Sequence, residues 1–278
     1  MRVHPTAYIH PDAIVHPTCD IGPHVVIEGP VRIGAHCHLG PSVVVMGNTD
    51  IGSDCEIHAH AVIGDVPQDR KYTGAISYCR IGQGCVIRES VTIHRASIEQ
   101  ATTIIGNDCH LMTCSHVAHD CILADEVTLV SGALLGGHVQ IGSQAIISGN
   151  VGIHQFVRVG QLAMLGGVAM ISRDVPPFTM TDHQGEIIGL NAVGLARRGI
   201  SNAEQQDLKN LFRVICRSGM SHSRSLELAE ELALTDIGRQ FVEFFQVDTQ
   251  RGFARFRGKK SRSRKNLVPP VQHPPLAE

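Results

Sequence analysis

Tryptophan is absent from the 278 residues, aromatic side chains make up 4%, and charged side chains only 18%. So few aromatics argue against a platform that stacks nucleobases. The charges nearly cancel, at net −2, so the chain-wide field offers no attraction to nucleic acid. Long apolar runs are missing too. No stretch approaches the ~18 residues of a membrane-spanning helix, and the N-terminus MRVHPTAYIHPDAIV lacks the basic-then-apolar order of a signal peptide. The nine cysteines form no CxxC pair, so with no export signal they read as reduced thiols of a cytoplasmic protein. What is plentiful is hydrophobic content, 43%, enough for a packed core. Histidine is plentiful as well, at 17 residues.

A six-residue period organises most of the chain. Stepping by six from Ile9 to Ile171, the positions are Ile, Leu or Val at 25 of 28 steps, failing only at Asp69, Ala75 and Glu99. Ordinary composition would fill about a quarter of such positions. Glycine often follows the aliphatic, as at Gly22, Gly52, Gly106 and Gly142, and is expected to serve a tight corner with unusual φ. A small or branched residue lies two positions before it, as at Cys19, Val25, Ala61 and Ala145. A period of six fits neither an α-helix nor a simple alternating strand. It fits a parallel β-helix in which each flat side turns one aliphatic and one small residue inward. Three sides make an 18-residue coil, and coils stack at the strand spacing of about 4.8 Å. Cys19, Cys37, Cys55 and Cys109 differ by multiples of 18 and are expected to form one interior column of small buried hydrophobes.

The period is interrupted at about 66–79 and 97–103, and loops leaving a regular scaffold are often functional. It stops after Ile171 at RDVPPF, where paired prolines are expected to end regular pairing. These features divide the chain into a β-helix over 1–186, an α-helical region over 187–257 and a basic, Pro-rich tail over 258–278. Within the second, Ser201 and Glu204 form a capping-box pattern ahead of Leu208, Leu211, Phe212 and Ile215 at helical spacing, with Gly219 as a stop. Further helices are predicted at about 224–234 and 235–247. The tail has no apolar periodicity and is expected to be disordered.

In the unbroken span 105–171, residues 18 apart stack. That places His119, His138, His154 and Gln155 near one edge across three coils, with His116 close by and Asp120 beside His119. An imidazole can serve as general base near neutral pH, a carboxylate can orient it, and Gly137 can offer a backbone N–H to an oxyanion. Periodicity alone equally allows an idle surface column, or three histidines around Zn²⁺ with an open fourth position.

The segments QDRKYTG (68–74), IRESVTIHR (87–95), SHVAHDC (115–121), GIHQF (152–156), DVPPF (174–178) and GLARRGIS (194–201) occur in this order. Together, over about residues 1–257, they resemble the cytoplasmic UDP-N-acetylglucosamine O-acyltransferases that begin lipid A synthesis. The resemblance implies an all-β solenoid plus α: a left-handed parallel β-helix of hexapeptide repeats with a C-terminal helical domain. It also implies a homotrimer with sites between subunits. The reaction implied is transfer of a (R)-3-hydroxyacyl group from acyl carrier protein to UDP-GlcNAc. On that resemblance His119 takes the proton from the glucosamine 3-OH, Asp120 orients it, and Gly137 supplies the oxyanion N–H. Asp69 and Lys71 match loop residues that hold sugar and phosphate. His94, His116, His138, His154 and Gln155 match the nucleotide-sugar cleft, and Asn191, Arg197 and Arg198 the group near the diphosphate and uridine. Met170 falls where acyl length is set, so a shorter acyl group than a Gly enzyme takes is expected. Arg197, Arg198 and Arg217 are candidates for docking the acidic carrier protein. No metal, cofactor or covalent acyl-enzyme is implied, the donor being carried on the phosphopantetheine of the carrier. The sequence departs from the pattern at Val193, at 185–190 and at 130–132. Alternatives are a non-catalytic hexapeptide paralogue and a zinc hydratase. A third, the related N-acyltransferase, is expected to carry a large N-terminal domain ahead of the repeats, which here begin at residue 9.

Overall fold

The computed structural model describes residues 2–257, and the tail expected to be disordered lies outside the described residues. The chain winds as a left-handed parallel β-helix closed at one end by four helices. Its short strands fall into three sheets of 11, 9 and 8 strands. Each strand pairs in parallel with the one a full coil later, as His110 with Thr128 and Thr128 with Ile146. At the two interruptions the step lengthens. Asn48 pairs with Tyr78 and Tyr78 with Thr102, so the loops are extruded while the register is kept.

The six-residue aliphatic positions from Ile21 to Ile171 are buried wherever the period holds, each at 4% exposure or less. Removing such a side chain from water contributes roughly 1.5–3 kcal/mol. The cysteine column exists and has one more member, Cys85, which the longer coil brings between Cys55 and Cys109. All five thiols are free and buried. Each donates to a carbonyl of the next coil, from Cys19 to Gly34 O at 3.0 Å through Cys109 to Ala124 O at 3.2 Å.

Two expectations need correction. The glycine after each aliphatic is not a left-handed corner, Gly64 excepted. It is small because coils approach there: a Cβ on Gly52 would lie 2.6 Å from Gln83 N. The left-handed residue comes two places later and is seldom glycine. His24, Asp54, His60, Asp120 (φ 59°) and His138 (φ 61°) are examples. Asp, Asn and His tolerate this region better than most residues, which accounts for part of the histidine excess. Pairing also continues past Ile171. Val175 bridges Val159, Phe178 N–H bonds Gln161 O, and Thr179–Thr181 extends the first sheet, where it meets the antiparallel strand Ile187–Leu190. The prolines fall between the bonded positions, and Gly160 leaves room for Pro177. At this end Asp174 is fully buried and accepts from Arg158 N–H and Nε–H, both at 2.8 Å. The same guanidinium lies over Phe244, tying the helices to the last coil.

The helices are α1 (Ala192–Arg197), α2 (Asn202–Arg217), α3 (His222–Leu232) and α4 (Asp236–Gln246). The Ser201–Glu204 capping box is formed in both directions. Gly219, past the end of α2, has φ 76°. Leu208, Leu211 and Phe212 of α2 are buried, as are Phe241 and Phe245 of α4. Asp207, also buried, accepts from Thr235 N–H at 2.9 Å and Oγ–H at 2.7 Å at the start of α4.

Candidate active site

One corner of the prism gathers the chemistry. Asp120, His138 and Phe156 stack there as consecutive left-handed residues. His119 precedes Asp120, and its ring lies over Gly137 of the next coil. A Cβ on Gly137 would come 2.5 Å from His119 Cε1 and 2.7 Å from Nε2, so only glycine admits the ring. His119 Nδ1 is 2.7 Å from Asp120 Oδ2, and both side chains are nearly buried. His138 stacks on Phe156 with ring centres 4.5 Å apart and meets His119 edge-on at 5.3 Å. On the coil of His119, His116 meets Thr92 Oγ1 of the preceding coil at 2.7 Å and the buried His94 edge-on at 5.1 Å. His94 Nδ1 is buried with no hydrogen-bond partner. A cavity of about 330 Å³ runs beside these rings, lined by Gln68, His116, His119, Leu134, Gly137, Gly152, His154, Gln155 and Met170.

Electrostatics set the proton positions. Burial alone would raise the Asp120 pKa, but the hydrogen bonds from His119 and Ser97 outweigh it and hold the carboxyl below its usual range. Asp120 is therefore ionised at neutral pH and can only accept. The proton between the pair belongs on His119 Nδ1, which leaves Nε2 as a free base facing the cavity. Burial pushes His116 down to about 4 and lowers His94 and His138, so these neighbours are neutral around pH 7. The Gly137 N–H makes no hydrogen bond among the described residues.

Known proteins place this arrangement in a family. A family model described as UDP N-acetylglucosamine O-acyltransferase, domain 2, matches residues 174–254, and one described as GMPPB C-terminal domain matches 3–73. The chain is 48% identical over 226 residues to the acyl-[acyl-carrier-protein]–UDP-N-acetylglucosamine O-acyltransferase of Gloeothece citriformis, covering 81% of this chain and 75% of that one. The Synechocystis protein of the same name is 44% identical over 232 residues, covering 82% and 75%. The chain belongs to the UDP-N-acetylglucosamine O-acyltransferase family. A crystal structure of the Francisella novicida UDP-N-acetylglucosamine acyltransferase superposes with a TM-score of 0.88 at 34% identity, covering 98% of this chain and 99% of the other. One from Bacteroides fragilis gives 0.87 at 35%, covering 91% and 100%.

Within this acyltransferase, the remaining candidates divide. Asp69 faces the cluster: its charge acts on His138, and it accepts from Lys71 N–H at 2.9 Å. The Lys71 side chain is exposed on the loop. Asn191, Arg197 and Arg198 are not brought to this corner. Arg198 pairs with Glu126 at 2.6 Å, on a different corner column. Asn191 is buried, with its amide donating to Leu162 O at 2.9 Å and its Oδ1 capping α1 at Gly194 N–H. Within this chain, then, Asn191 caps α1, its amide bonding Leu162 O and Gly194 N–H. Sequence reasoning missed Ser97, which bonds Asp120, and Phe156, which supports His138. Ser97 sits inside the interruption at 97–103, and Phe156 shares the 18-residue register of Asp120 and His138. A larger cavity of about 900 Å³ lies at the helical end, lined by Arg213, Cys216, Arg217, Phe256 and Arg257.

His119, Asp120 and His138 are the grouping that could hold a metal among the described residues, their ligand atoms lying within 4.8 Å of one another. Asp120 already accepts from His119 Nδ1–H and from Ser97 N–H and Oγ–H. A cation there would have to displace these bonds.

Proposed function

We propose that this acyltransferase transfers a (R)-3-hydroxyacyl group from the phosphopantetheine thioester of acyl carrier protein to the 3-OH of UDP-GlcNAc, the first step of lipid A biosynthesis. The observation that carries this reading is the His119–Asp120 pair at 2.7 Å, with its ring over Gly137 beside the cavity. His119 Nε2 takes the proton of the 3-OH as that oxygen attacks the thioester carbonyl. The new C–O bond forms, and charge develops on the carbonyl oxygen, toward which the unbonded Gly137 N–H is available. The C–S bond then breaks, and the imidazolium returns its proton to the leaving thiolate. Asp120 stabilises the imidazolium in between. No cofactor or metal takes part in this scheme.

Met170 lines the cavity and is 70% exposed, and its sulfur lies 3.0 Å from the place that a Cβ on Gly152 would take. This supports an acyl groove closed early and a short donor chain. The half-buried Val26, Val44 and Val62 and the exposed Leu134 and Met170 put apolar side chains on the second sheet's outer face on either side of Thr92 and His116, and Arg197 and Arg198 lie away from His119. Both features support a homotrimer in which a neighbouring subunit completes the site. No described helix is long and apolar enough to cross a membrane, and we place the enzyme in the cytoplasm, where its acyl donor and nucleotide sugar are made. Arg213, Arg217 and Arg257 around the large cavity suit docking of an acidic carrier protein.

The test is a transfer assay with (R)-3-hydroxyacyl carrier proteins of several lengths and with UDP-GlcNAc or its 3-amino analogue as acceptor. Wild type should acylate UDP-GlcNAc, and His119→Ala should lose turnover by at least a thousandfold while keeping its fold. Preference for the 3-amino acceptor, or an active His119→Ala enzyme, would overturn the reading.

A further inference from the structure

We infer that Ser97 is a positioning residue for the reaction, and that the second interruption of the coil is there to present it to Asp120. The inference rests on the reading of His119 as the base. Three features carry it. Ser97 N–H lies 3.2 Å from both Asp120 carboxylate oxygens, and Ser97 Oγ–H donates to Oδ2 at 2.6 Å, the same oxygen that His119 Nδ1 meets at 2.7 Å. The far end of the same loop fixes the Asp120 backbone, whose N–H donates to the buried Thr103 Oγ1 at 2.8 Å. The loop is itself braced against the end of the first interruption: Ser77 Oγ–H bonds Ala96 O, Gln100 N–H bonds Ile76 O at 2.8 Å, and Ile76 N–H bonds Glu99 Oε2 at 2.9 Å.

A regular 18-residue coil has no residue at this place. The coil holding Ser97 takes 24 residues from Tyr78 to Thr102, and the additional chain passes over the corner where Asp120 sits. Asp120 is nearly buried, so a carboxylate there needs donors to stay ionised. His119 supplies one. Ser97 supplies a hydroxyl and an N–H, and so fixes the plane of the carboxylate against which the imidazole is aligned. Charge-assisted bonds of this kind are short and directional. The groups facing the pair are His138 on the same corner, His116 on the same coil, His94 one coil earlier, and Asp69 on the first loop, with Asp65 and Arg95 facing His94.

Ser97→Ala removes the hydroxyl and keeps the backbone N–H. We expect kcat to fall about tenfold, the loss of one hydrogen bond to a charged group, with KM for the nucleotide sugar within twofold of wild type. With one donor gone, the carboxylate holds the Nδ1 proton more strongly, so the acid limb of the kcat–pH profile should move to higher pH. Ser97→Thr should restore both. A kcat within twofold of wild type with an unmoved acid limb would overturn the inference. So would a loss that tracks a fall in Tm and is not restored by Thr. Running His119→Ala alongside separates the failures. If it is inactive while Ser97→Ala behaves as wild type, only the role of Ser97 fails; if it stays active, there is no base for Ser97 to position and both readings fall.

Discussion

Gly137→Ala is a sharp test of how the base is held. Gly137 is not in the left-handed region, so alanine is conformationally acceptable there. The added methyl would lie 2.5 Å from His119 Cε1, 2.7 Å from Nε2 and 3.1 Å from Nδ1. Unbonded carbons rest at about 3.5–4.0 Å, so the ring must retreat by about 1 Å. Asp120 restrains it on the other side through the 2.7 Å bond, and retreat therefore turns Nε2 away from its approach to the hydroxyl. A displacement of that size costs on the order of a hundredfold in rate. The backbone N–H survives the substitution, so the loss reports on the ring and not on an oxyanion donor. Gly136→Ala is the contrasting control. Its methyl would meet Gln155 N at 2.9 Å and Ile153 O at 3.1 Å, backbone atoms that cannot swing aside. It should lower stability by roughly 1–3 kcal/mol through overpacking. Steady-state transfer rates beside thermal unfolding of both variants decide the matter. A Gly137→Ala enzyme within threefold of the wild-type kcat would refute the placement of the ring.

Two further outcomes follow from the same site. Met170→Gly should open the groove beyond Gly152 and shift donor preference to longer chains; a wild-type enzyme that already prefers a 14-carbon to a 10-carbon donor would contradict the reading. His116 titrates at about 4 when folded against 6.5 in an open chain, so the unfolded state takes up the proton first as the medium is acidified. Stability should therefore decline from pH 6.5 to pH 4, by about 3 kcal/mol from this group, and level off below. His116→Gln should remove that share of the decline in denaturant titrations, and parallel wild-type and variant curves would show that His116 is not held neutral by burial.

Much of the fold was legible because the physics behind it is local and repeated. Each six-residue unit has to turn one aliphatic and one small residue inward, so the period exposes the solenoid, its 18-residue coil and the cysteine column. The capping box at Ser201 and the apolar spacing of α2 were readable for the same reason, since a helix start depends on its own few residues. The corner carrying His119, Asp120, His138, His154 and Gln155 could be assembled by counting in coils. Where two coils meet at close range, counting failed. The glycines after the aliphatics looked like left-handed corners and are close contacts instead. Pairing persisted through DVPPF because the prolines fall between bonded positions.

The sequence by itself determined the coil, the column in which the histidines stand, the resemblance through its short motifs, and the helical cap. The tertiary structure alone decided which of these side chains act together. Nothing in the order of residues places Ser97 on the Asp120 carboxylate, the His119 ring over Gly137, or Asn191 under α1 and away from the histidines. Those facts depend on where an extruded loop lands and how closely neighbouring coils approach. Such distances are set by the packing of many residues at once, and no short stretch of chain encodes them.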